Sequence, residues 1–119
     1  MSKRVLIADD NIDAAESLQL WLEMAGYDVH TALSGTAALE AAERLQPQVA
    51  VLDLGMPGMS GLEVAQRIRE APWGAAMVLI ALTGWGQEED RRRTKDAGFD
   101  HHLVKPVSPE KVEELVRRA

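Results

Sequence analysis

The sequence predicts an α/β domain in which a parallel sheet is covered by helices on both faces. Five short apolar runs alternate with longer segments of helical periodicity along the 119 residues, and three of these runs are apolar throughout. A strand that is apolar at every position must be covered on both faces, so the alternation indicates a doubly wound (βα)5 sheet with right-handed crossovers. This length supports one core, and we expect residues 1–119 to form a single domain.

Each strand is predicted from its own run of residues. The predicted strands are Val5–Ala8, Tyr27–Thr31, Val49–Leu52, Met77–Leu82 and His102–Val104. The first, third and fourth are continuously apolar, which is typical of the interior of a parallel sheet, whereas the second and fifth carry polar residues, which favours the edges. This distribution predicts the flavodoxin-like strand order 2-1-3-4-5, in which a crevice lies outside the carboxyl ends of the strands.

The helices are predicted from their periodicity and from the signals at their ends. Gly26 and Pro47 end the first two helical patterns, and Glu63 stands at capping-box spacing from Ser60. The predicted helices are Asp13–Ala25, Thr36–Leu45, a third capped by Ser60, a charged fourth from about Gln87 to Ala97, and a fifth that begins at Ser108 and Pro109.

Composition argues against several classes of protein. The formal net charge of -6 disfavours direct binding to the phosphates of nucleic acids, and the absence of cysteine excludes disulfides and thiolate metal sites. The longest apolar run, residues 75–82, is far shorter than the roughly 20 residues that cross a bilayer, and no signal sequence follows Met1. We therefore expect a cytoplasmic domain without membrane insertion or direct nucleic acid binding, and composition leaves its oligomeric state open.

Polar residues follow four of the predicted strands at the same edge of the sheet. Asp9 and Asp10 follow the first strand, Asp53 the third, Thr83 the fourth and Lys105 the fifth. Because the carboxyl ends of parallel strands meet at one edge, we expect these side chains to share one crevice. Any one of them alone is more often a turn residue or a helix cap, but that interpretation does not explain the whole set.

The chemistry of this set points to phosphoryl transfer. Each pair of carboxylates about 4 Å apart costs roughly 4 kcal/mol at an effective dielectric constant near 20, so the three acids need a cation. Ligands that are all oxygen favour a hard ion, and a site with room for water and phosphate favours Mg²⁺. Asp53 can attack phosphorus while Lys105 neutralises the phosphoryl oxygens and Thr83 donates a hydrogen bond. The product would be an aspartyl phosphate.

These residues together resemble the receiver domain of two-component response regulators. The resemblance is carried by the pair Asp9-Asp10, by Asp53 in LDLGMPGMSG, by Thr83 in ALTGWG and by Lys105 in HLVKP, and it covers essentially the whole chain. It implies that Asp53 accepts a phosphoryl group from the phosphohistidine of a sensor histidine kinase or of a histidine phosphotransfer protein. The wording around the last two motifs is similar to receivers of hybrid sensor histidine kinases, which favours a phosphorelay over a transcription factor.

The resemblance also implies a role for each residue of the crevice. Asp10, Asp53 and the backbone carbonyl of Gly55 would bind Mg²⁺ directly, with Asp9 lying mainly behind these ligands. Lys105 would contact the phosphoryl group and would precede a cis peptide bond to the proline that follows it.

A conformational switch is the further implication of the resemblance. Thr83 would move toward the phosphate and change the face formed by the fourth helix and the last strand and helix. His102 stands where receivers usually have Tyr or Phe, which predicts a weaker or pH-dependent response; the alternative is a plain edge-strand residue. Trp85 is predicted to shield the phosphate in part, although packing on a partner is an equal alternative.

Two rival functions compete with that of a phosphoacceptor domain, which is not a turnover enzyme in itself. A phosphatase of the haloacid dehalogenase type needs a second acid two residues after its nucleophile, and Gly55 stands there. A degenerate flavodoxin-like interaction module without phosphorylation would not need the complete polar set. The run Arg91–Arg93 is interpreted as a solvated, salt-bridged helix face rather than a docking patch.

Overall fold

The computed structural model describes residues 3–84 and 88–119, except for the side chain of Glu89. The elements in these ranges are β1 (Arg4–Ala8), α1 (Ile12–Met24), β2 (Asp28–Ala32), α2 (Gly35–Leu45), β3 (Val49–Asp53), α3 (Gly61–Glu70), a 3-10 turn (Pro72–Gly74), β4 (Val78–Thr83), α4 (Glu88–Ala97), β5 (His101–Val104) and α5 (Pro109–Arg118). All strand pairs are parallel and the order is β2-β1-β3-β4-β5, which confirms the predicted fold class and strand order. Within the described ranges, no helix is both long and apolar enough to cross a membrane.

The central strands are buried on both faces because alternate side chains enter two separate cores. In β1, Leu6 and Ala8 belong to the core that packs against α2 and α3, whereas Val5 and Ile7 belong to the core that packs against α1 and α5. The same alternation holds along β3 and β4. Continuous apolar runs are therefore the expected sequence signature of these strands.

Strand boundaries agree with the predicted ones to within one residue, and two of the differences affect function. The third and fourth strands extend through Asp53 and Thr83, which were predicted to follow them. Both residues are thus fixed by the ladder of the sheet rather than carried on a loop. The first helix also begins earlier than predicted, at Ile12, because the side chain of Asn11 accepts a hydrogen bond from the backbone N–H of Ala14 at 3.2 Å.

An arginine organises the amino edge of the sheet, opposite the predicted crevice. The guanidinium of Arg69, near the end of α3, donates to the carboxylate of Asp100 at 2.8 Å, and the same carboxylate oxygen accepts the backbone N–H of Leu79 at 2.8 Å. The guanidinium also donates to four carbonyl oxygens, those of Gly74, Ala75, Met77 and Gly98. We call these contacts the Arg69 network; it ties α3 to the segments that precede β4 and β5.

Candidate functional site

Three carboxylates meet at the carboxyl edge of the sheet. Asp9 and Asp10 follow β1 and Asp53 ends β3, and one oxygen from each lies within 4.8 Å of the other two. Asp9 and Asp53 are only 3% and 5% exposed, whereas Asp10 is exposed to solvent. We call this group the acidic crevice. The structure thus brings together the three acids that the sequence placed at separate strand ends.

One lysine reaches the acidic crevice from the end of the sheet. The Nζ atom of Lys105 lies 3.1 Å from Oδ2 of Asp53 and 3.8 Å from Oδ2 of Asp9. The other oxygen of each acid accepts a backbone N–H, from Gly55 at 3.1 Å for Asp53 and from Asn11 at 3.0 Å for Asp9. The peptide bond that follows the lysine is cis, as expected. Both buried carboxylates are therefore oriented by the backbone on one side and by the ammonium group on the other.

Electrostatics in the acidic crevice favour a proton or a cation. Burial is the largest influence and raises the pKa of Asp9 above its ordinary value, and a hydrogen bond and charge repulsion from Asp53 raise it further. The N–H of Asn11 and the charge of Lys105 lower this pKa but do not cancel the increase. A single lysine therefore leaves the excess negative charge uncompensated.

The donor set fits a hard divalent cation. Its side-chain donors are carboxylate oxygens, one of them on the exposed Asp10, which can be reached from water. Mg²⁺ prefers oxygen ligands and keeps some of its waters, so an open group of carboxylates suits it better than a closed cage would. Gly55, whose carbonyl is the remaining predicted ligand, lies exposed in the loop directly after Asp53.

Thr83 and Lys105 are linked through the sheet. Thr83 is the last residue of β4 and is 1% exposed, and its backbone carbonyl accepts the N–H of Lys105 at 2.8 Å. A shift of either residue therefore strains a hydrogen bond to the other. Trp85, the predicted shield of the phosphate, lies outside the described residues.

His102 contacts α4 through a threonine that the sequence analysis overlooked. Its ring Nδ1 lies 2.9 Å from Oγ1 of Thr94, and the same hydroxyl lies 2.9 Å from the carbonyl oxygen of Arg91. A hydroxyl has one hydrogen, so both contacts are satisfied when Thr94 donates to the carbonyl and accepts from the Nδ1–H tautomer of the histidine. The spacing of Thr94 and Ala97 could have indicated that Thr94 lies on the buried face of α4, because residues three apart share one face of a helix.

The three consecutive arginines of α4 are exposed, as predicted. The predicted salt bridges are not found among the described side chains, which exclude that of Glu89. Arg93 instead lines a groove beside Thr83, together with Asp90. Sequence reasoning did not single out this groove, since its walls come from three different elements.

A doubly wound sheet of this order, with acids and a lysine at its carboxyl edge, defines a phosphoacceptor signalling domain. The chain belongs to the response regulator receiver domain family, whose model matches residues 5–117. It is a receiver domain of the two-component type.

Individual relatives support this assignment. An uncharacterized 14.6 kDa protein of Leptolyngbya boryana is 39% identical over 96% of this chain and 87% of that protein. The DNA-binding dual master transcriptional regulator RpaA of Synechocystis is 38% identical over 97% of this chain but only 46% of that protein. The chain thus spans about half the length of several curated relatives.

Solved structures show the same fold. The chemotaxis protein CheY4 of Vibrio cholerae superposes with a TM-score of 0.93 at 30% identity and covers 99% of this chain and 98% of that one. The receiver domain of the sensor histidine kinase PA1611 from Pseudomonas aeruginosa has a TM-score of 0.89 at 25% identity, over 99% and 97% of the two chains. That structure holds a magnesium ion in its active-site cleft.

Proposed function

We propose that Asp53 accepts a phosphoryl group from the phosphohistidine of a sensor histidine kinase or of a histidine phosphotransfer protein. The observation that carries this proposal is the position of the Lys105 ammonium, 3.1 Å from Oδ2 of the buried Asp53. A buried carboxylate with one oxygen held by a backbone N–H is poorly hydrated and fixed in direction, which suits a nucleophile. A receiver that takes its phosphoryl group from such a donor works in the cytoplasm.

The transfer is a single displacement at phosphorus. A carboxylate oxygen of Asp53 forms the new bond to phosphorus while the bond from phosphorus to the imidazole nitrogen of the donor breaks, and the nitrogen keeps the electron pair. Lys105 lies close enough to neutralise charge on the transferred group, and the hydroxyl of Thr83 donates a hydrogen bond to it after a small movement. The domain is consumed as an acceptor in each event, so it is not a turnover enzyme in itself.

Asp10, Asp53 and the carbonyl of Gly55 are the proposed Mg²⁺ ligands, with Asp9 mainly behind them. The cation would supply positive charge to the oxygens of the transferred group. The excess negative charge of the acidic crevice supports this proposal, as does the magnesium ion in the Pseudomonas receiver. Asp9 itself is held by its bond to the N–H of Asn11, so it can orient its neighbours without leaving the backbone.

The switch is proposed to act through differential contacts. Hydrogen bonds to a charged group contribute roughly 1.5 to 3 kcal/mol each, so Thr83 and Lys105 together can supply much of the roughly 5.5 kcal/mol that inverts a 1:99 equilibrium. We propose that His102 transmits this movement to α4 through its contact with Thr94. Activation that is equal at about pH 6 and about pH 8 would argue against a titratable role for His102.

The context of the domain in a longer protein is also a proposal. We favour a phosphorelay receiver of the kind found in hybrid sensor kinases, and the similarity to the receiver of the sensor kinase PA1611 supports it. Several curated relatives are instead transcriptional regulators of about twice this length. Phosphotransfer assays with an isolated phosphotransfer protein and with an isolated kinase core would distinguish the two contexts by their relative rates.

The phosphoacceptor proposal is tested by mass spectrometry after incubation with acetyl phosphate, with and without Mg²⁺. The wild-type chain is expected to gain one phosphoryl group only with Mg²⁺, and peptide mapping should locate it at Asp53. Asp53→Asn should abolish the adduct. Asp96→Asn is the matched control, because Asp96 is an exposed acid of α4 outside the acidic crevice. An adduct that persists in Asp53→Asn, or its absence from the folded wild type, would overturn the proposal.

A further inference from the structure

A groove opens beside Thr83, on the side of the phosphorylation site that faces α3 and α4. Its volume is about 160 Å³, and its lining residues are Leu54, Ser60, Leu62, Thr83, Asp90, Arg93 and Thr94. We call it the α3–α4 groove. Its lining includes Thr83, whose hydroxyl is proposed to contact the transferred group, and Leu54, which directly follows Asp53, so the groove adjoins the proposed acceptor.

We propose that the α3–α4 groove binds the dianionic phosphoryl group of a small phosphodonor, and that Arg93 is the residue that attracts it. This inference rests on the proposed phosphorylation of Asp53 and names a donor-binding residue for it. The size of the groove agrees with the proposal. Its volume of about 160 Å³ lies well below the roughly 300–1,000 Å³ of sites for drug-sized ligands, so it suits a small group.

Electrostatics explain why a second cation is needed. The chain carries a formal charge of -6, which a bound Mg²⁺ (+2) would reduce only to -4, so a dianionic donor is still repelled on approach. Lys105 does not remove this repulsion, since its ammonium is already engaged with Asp53 and Asp9. A cation in the α3–α4 groove would lower the repulsion that the donor meets on its way to Asp53.

Arg93 has the properties that this role requires. It is exposed, and among the described side chains it forms no ion pair and no hydrogen bond, whereas Arg67, Arg69 and Arg118 each pair with an acid. Asp90 lines the same groove one helical turn earlier, but the two side chains do not form an ion pair. The positive charge of Arg93 is therefore available to an anion.

A hydroxyl on the opposite wall can complete the site. Ser60 caps α3, and its oxygen accepts the backbone N–H of Glu63 at 3.3 Å. The hydroxyl hydrogen is not used in that bond, and it forms no other hydrogen bond with the described residues. Ser60 can therefore donate into the α3–α4 groove while it continues to cap the helix.

The helical phase of α4 singles out one of its three consecutive arginines. Thr94 is buried at 2% exposure, and its bonds to the Arg91 carbonyl and to His102 fix this face of the helix against the sheet. Asp90 lies four positions before Thr94 and Arg93 lies one position before it, and both line the groove. Arg92 is exposed and does not line the groove. The chain thus contains its own control: an arginine of equal charge next to the proposed one.

The test compares the rates at which Asp53 is phosphorylated by acetyl phosphate and by phosphoramidate in the presence of Mg²⁺. Arg93→Ala should lower the second-order rate constant for both donors by roughly threefold to tenfold, as expected for loss of local electrostatic attraction. Arg92→Ala removes the same charge outside the groove and should change the rate by less than about twofold. Arg93→Lys should restore most of the rate, and added salt should reduce the difference between wild type and Arg93→Ala.

Two further measurements separate this role from a structural one. The rate of dephosphorylation and the Mg²⁺ concentration at half-maximal rate should be unchanged in Arg93→Ala, and circular dichroism should show an intact fold. Equal rates in Arg93→Ala and Arg92→Ala, with a phosphorylated wild type, would overturn the donor-binding role and leave the phosphoacceptor proposal standing. A folded wild type that no donor phosphorylates would instead overturn the phosphoacceptor proposal.

Discussion

At the amino edge of the sheet, the guanidinium of Arg69 donates to four carbonyl oxygens and to one carboxylate. At the carboxyl edge, Asp9 and Asp53 are buried beside each other with one lysine between them. At the amino edge, the positive charge of Arg69 is matched by hydrogen-bond acceptors. At the carboxyl edge, the carboxylates outnumber the single lysine beside them. Stability and function are thus assigned to opposite edges of one sheet, and each edge predicts a different response to mutation.

Removal of the charge at the amino edge should have the largest effect on stability. Arg69→Ala should lower the free energy of unfolding by about 2–4 kcal/mol, because several carbonyl oxygens lose their donor and the carboxylate of Asp100 keeps only the N–H of Leu79. Chemical denaturation measures this change. Arg67→Ala is the matched control: among the described side chains Arg67 pairs only with Glu63, at the surface, and its loss should cost under about 0.5 kcal/mol. Similar losses in both variants would show that the Arg69 network is no better than a surface ion pair.

A steric change at the carboxyl edge should come next in size. A Cβ atom at Gly61 would lie 2.5 Å from the backbone oxygen of Asp53, so Gly61→Ala must displace α3 or β3. We expect a loss of about 1–3 kcal/mol, as for other overpacked sites, and slower phosphorylation because the acceptor moves.

Gly55→Ala, in the loop between β3 and α3, is the control for this steric effect. Its Cβ would lie 3.7 Å from Oδ1 of Asp53, an ordinary van der Waals distance, and stability should be nearly unchanged. Wild-type stability in Gly61→Ala, or a large loss in Gly55→Ala, would contradict the close packing of α3 against β3.

Removal of charge at the carboxyl edge should have the opposite sign. Without Mg²⁺, Asp9→Asn should raise the free energy of unfolding by about 0.5–2 kcal/mol, because a neutral amide relieves the repulsion with Asp53 and the penalty of burial. The same variant should gain less stability than the wild type when Mg²⁺ is added. Thermal denaturation with and without Mg²⁺ measures both effects. A destabilised variant without Mg²⁺ would mean that the contact with Lys105 outweighs the repulsion.

The smallest predicted effect is the pH dependence of the stability difference between Asp9→Asn and the wild type without Mg²⁺. The folded-state pKa of Asp9 is raised above its ordinary value of 3.8, so the protonated acid favours folding below that value. This contribution is lost as pH rises through the raised pKa. The stability advantage of Asp9→Asn without Mg²⁺ should therefore grow as pH rises from 3.8 through the raised pKa of Asp9, and then level off. An advantage that shrinks over this range would reverse the assigned direction of the shift.

Much of the carboxyl edge could be predicted from the sequence, because its residues follow strands with unmistakable patterns. Apolar runs located β1, β3 and β4, and the position of each polar residue at a strand end placed the acids and Lys105 at one edge. The third and fifth helices also begin as predicted because Ser60 and Ser108 are strong local capping signals, whereas the cap at Asn11 was not predicted and the first helix begins earlier.

The amino edge could not be predicted in the same way. Arg69 is one of two arginines in its helix, and its partners are mainly backbone carbonyl oxygens, which have no residue-specific signal. The contact between Thr94 and His102 was missed for a related reason, since it joins α4 to β5 across the packing of the fold. Contacts between elements depend on how helices are seated, and a periodic pattern gives the face of a helix but not its neighbour.

The parallel order of the strands has a consequence for the life of the molecule. Asp9, Asp53 and Lys105 lie far apart along the chain and meet only when β1 has paired with β3, and β4 with both β3 and β5. A chain still under synthesis does not have Lys105 beside Asp53, its proposed acceptor, until β5 has emerged and joined the sheet. The proposed acceptor site is therefore completed only after most of this domain has been made, and a partly folded domain lacks the full set of groups that the proposed transfer requires.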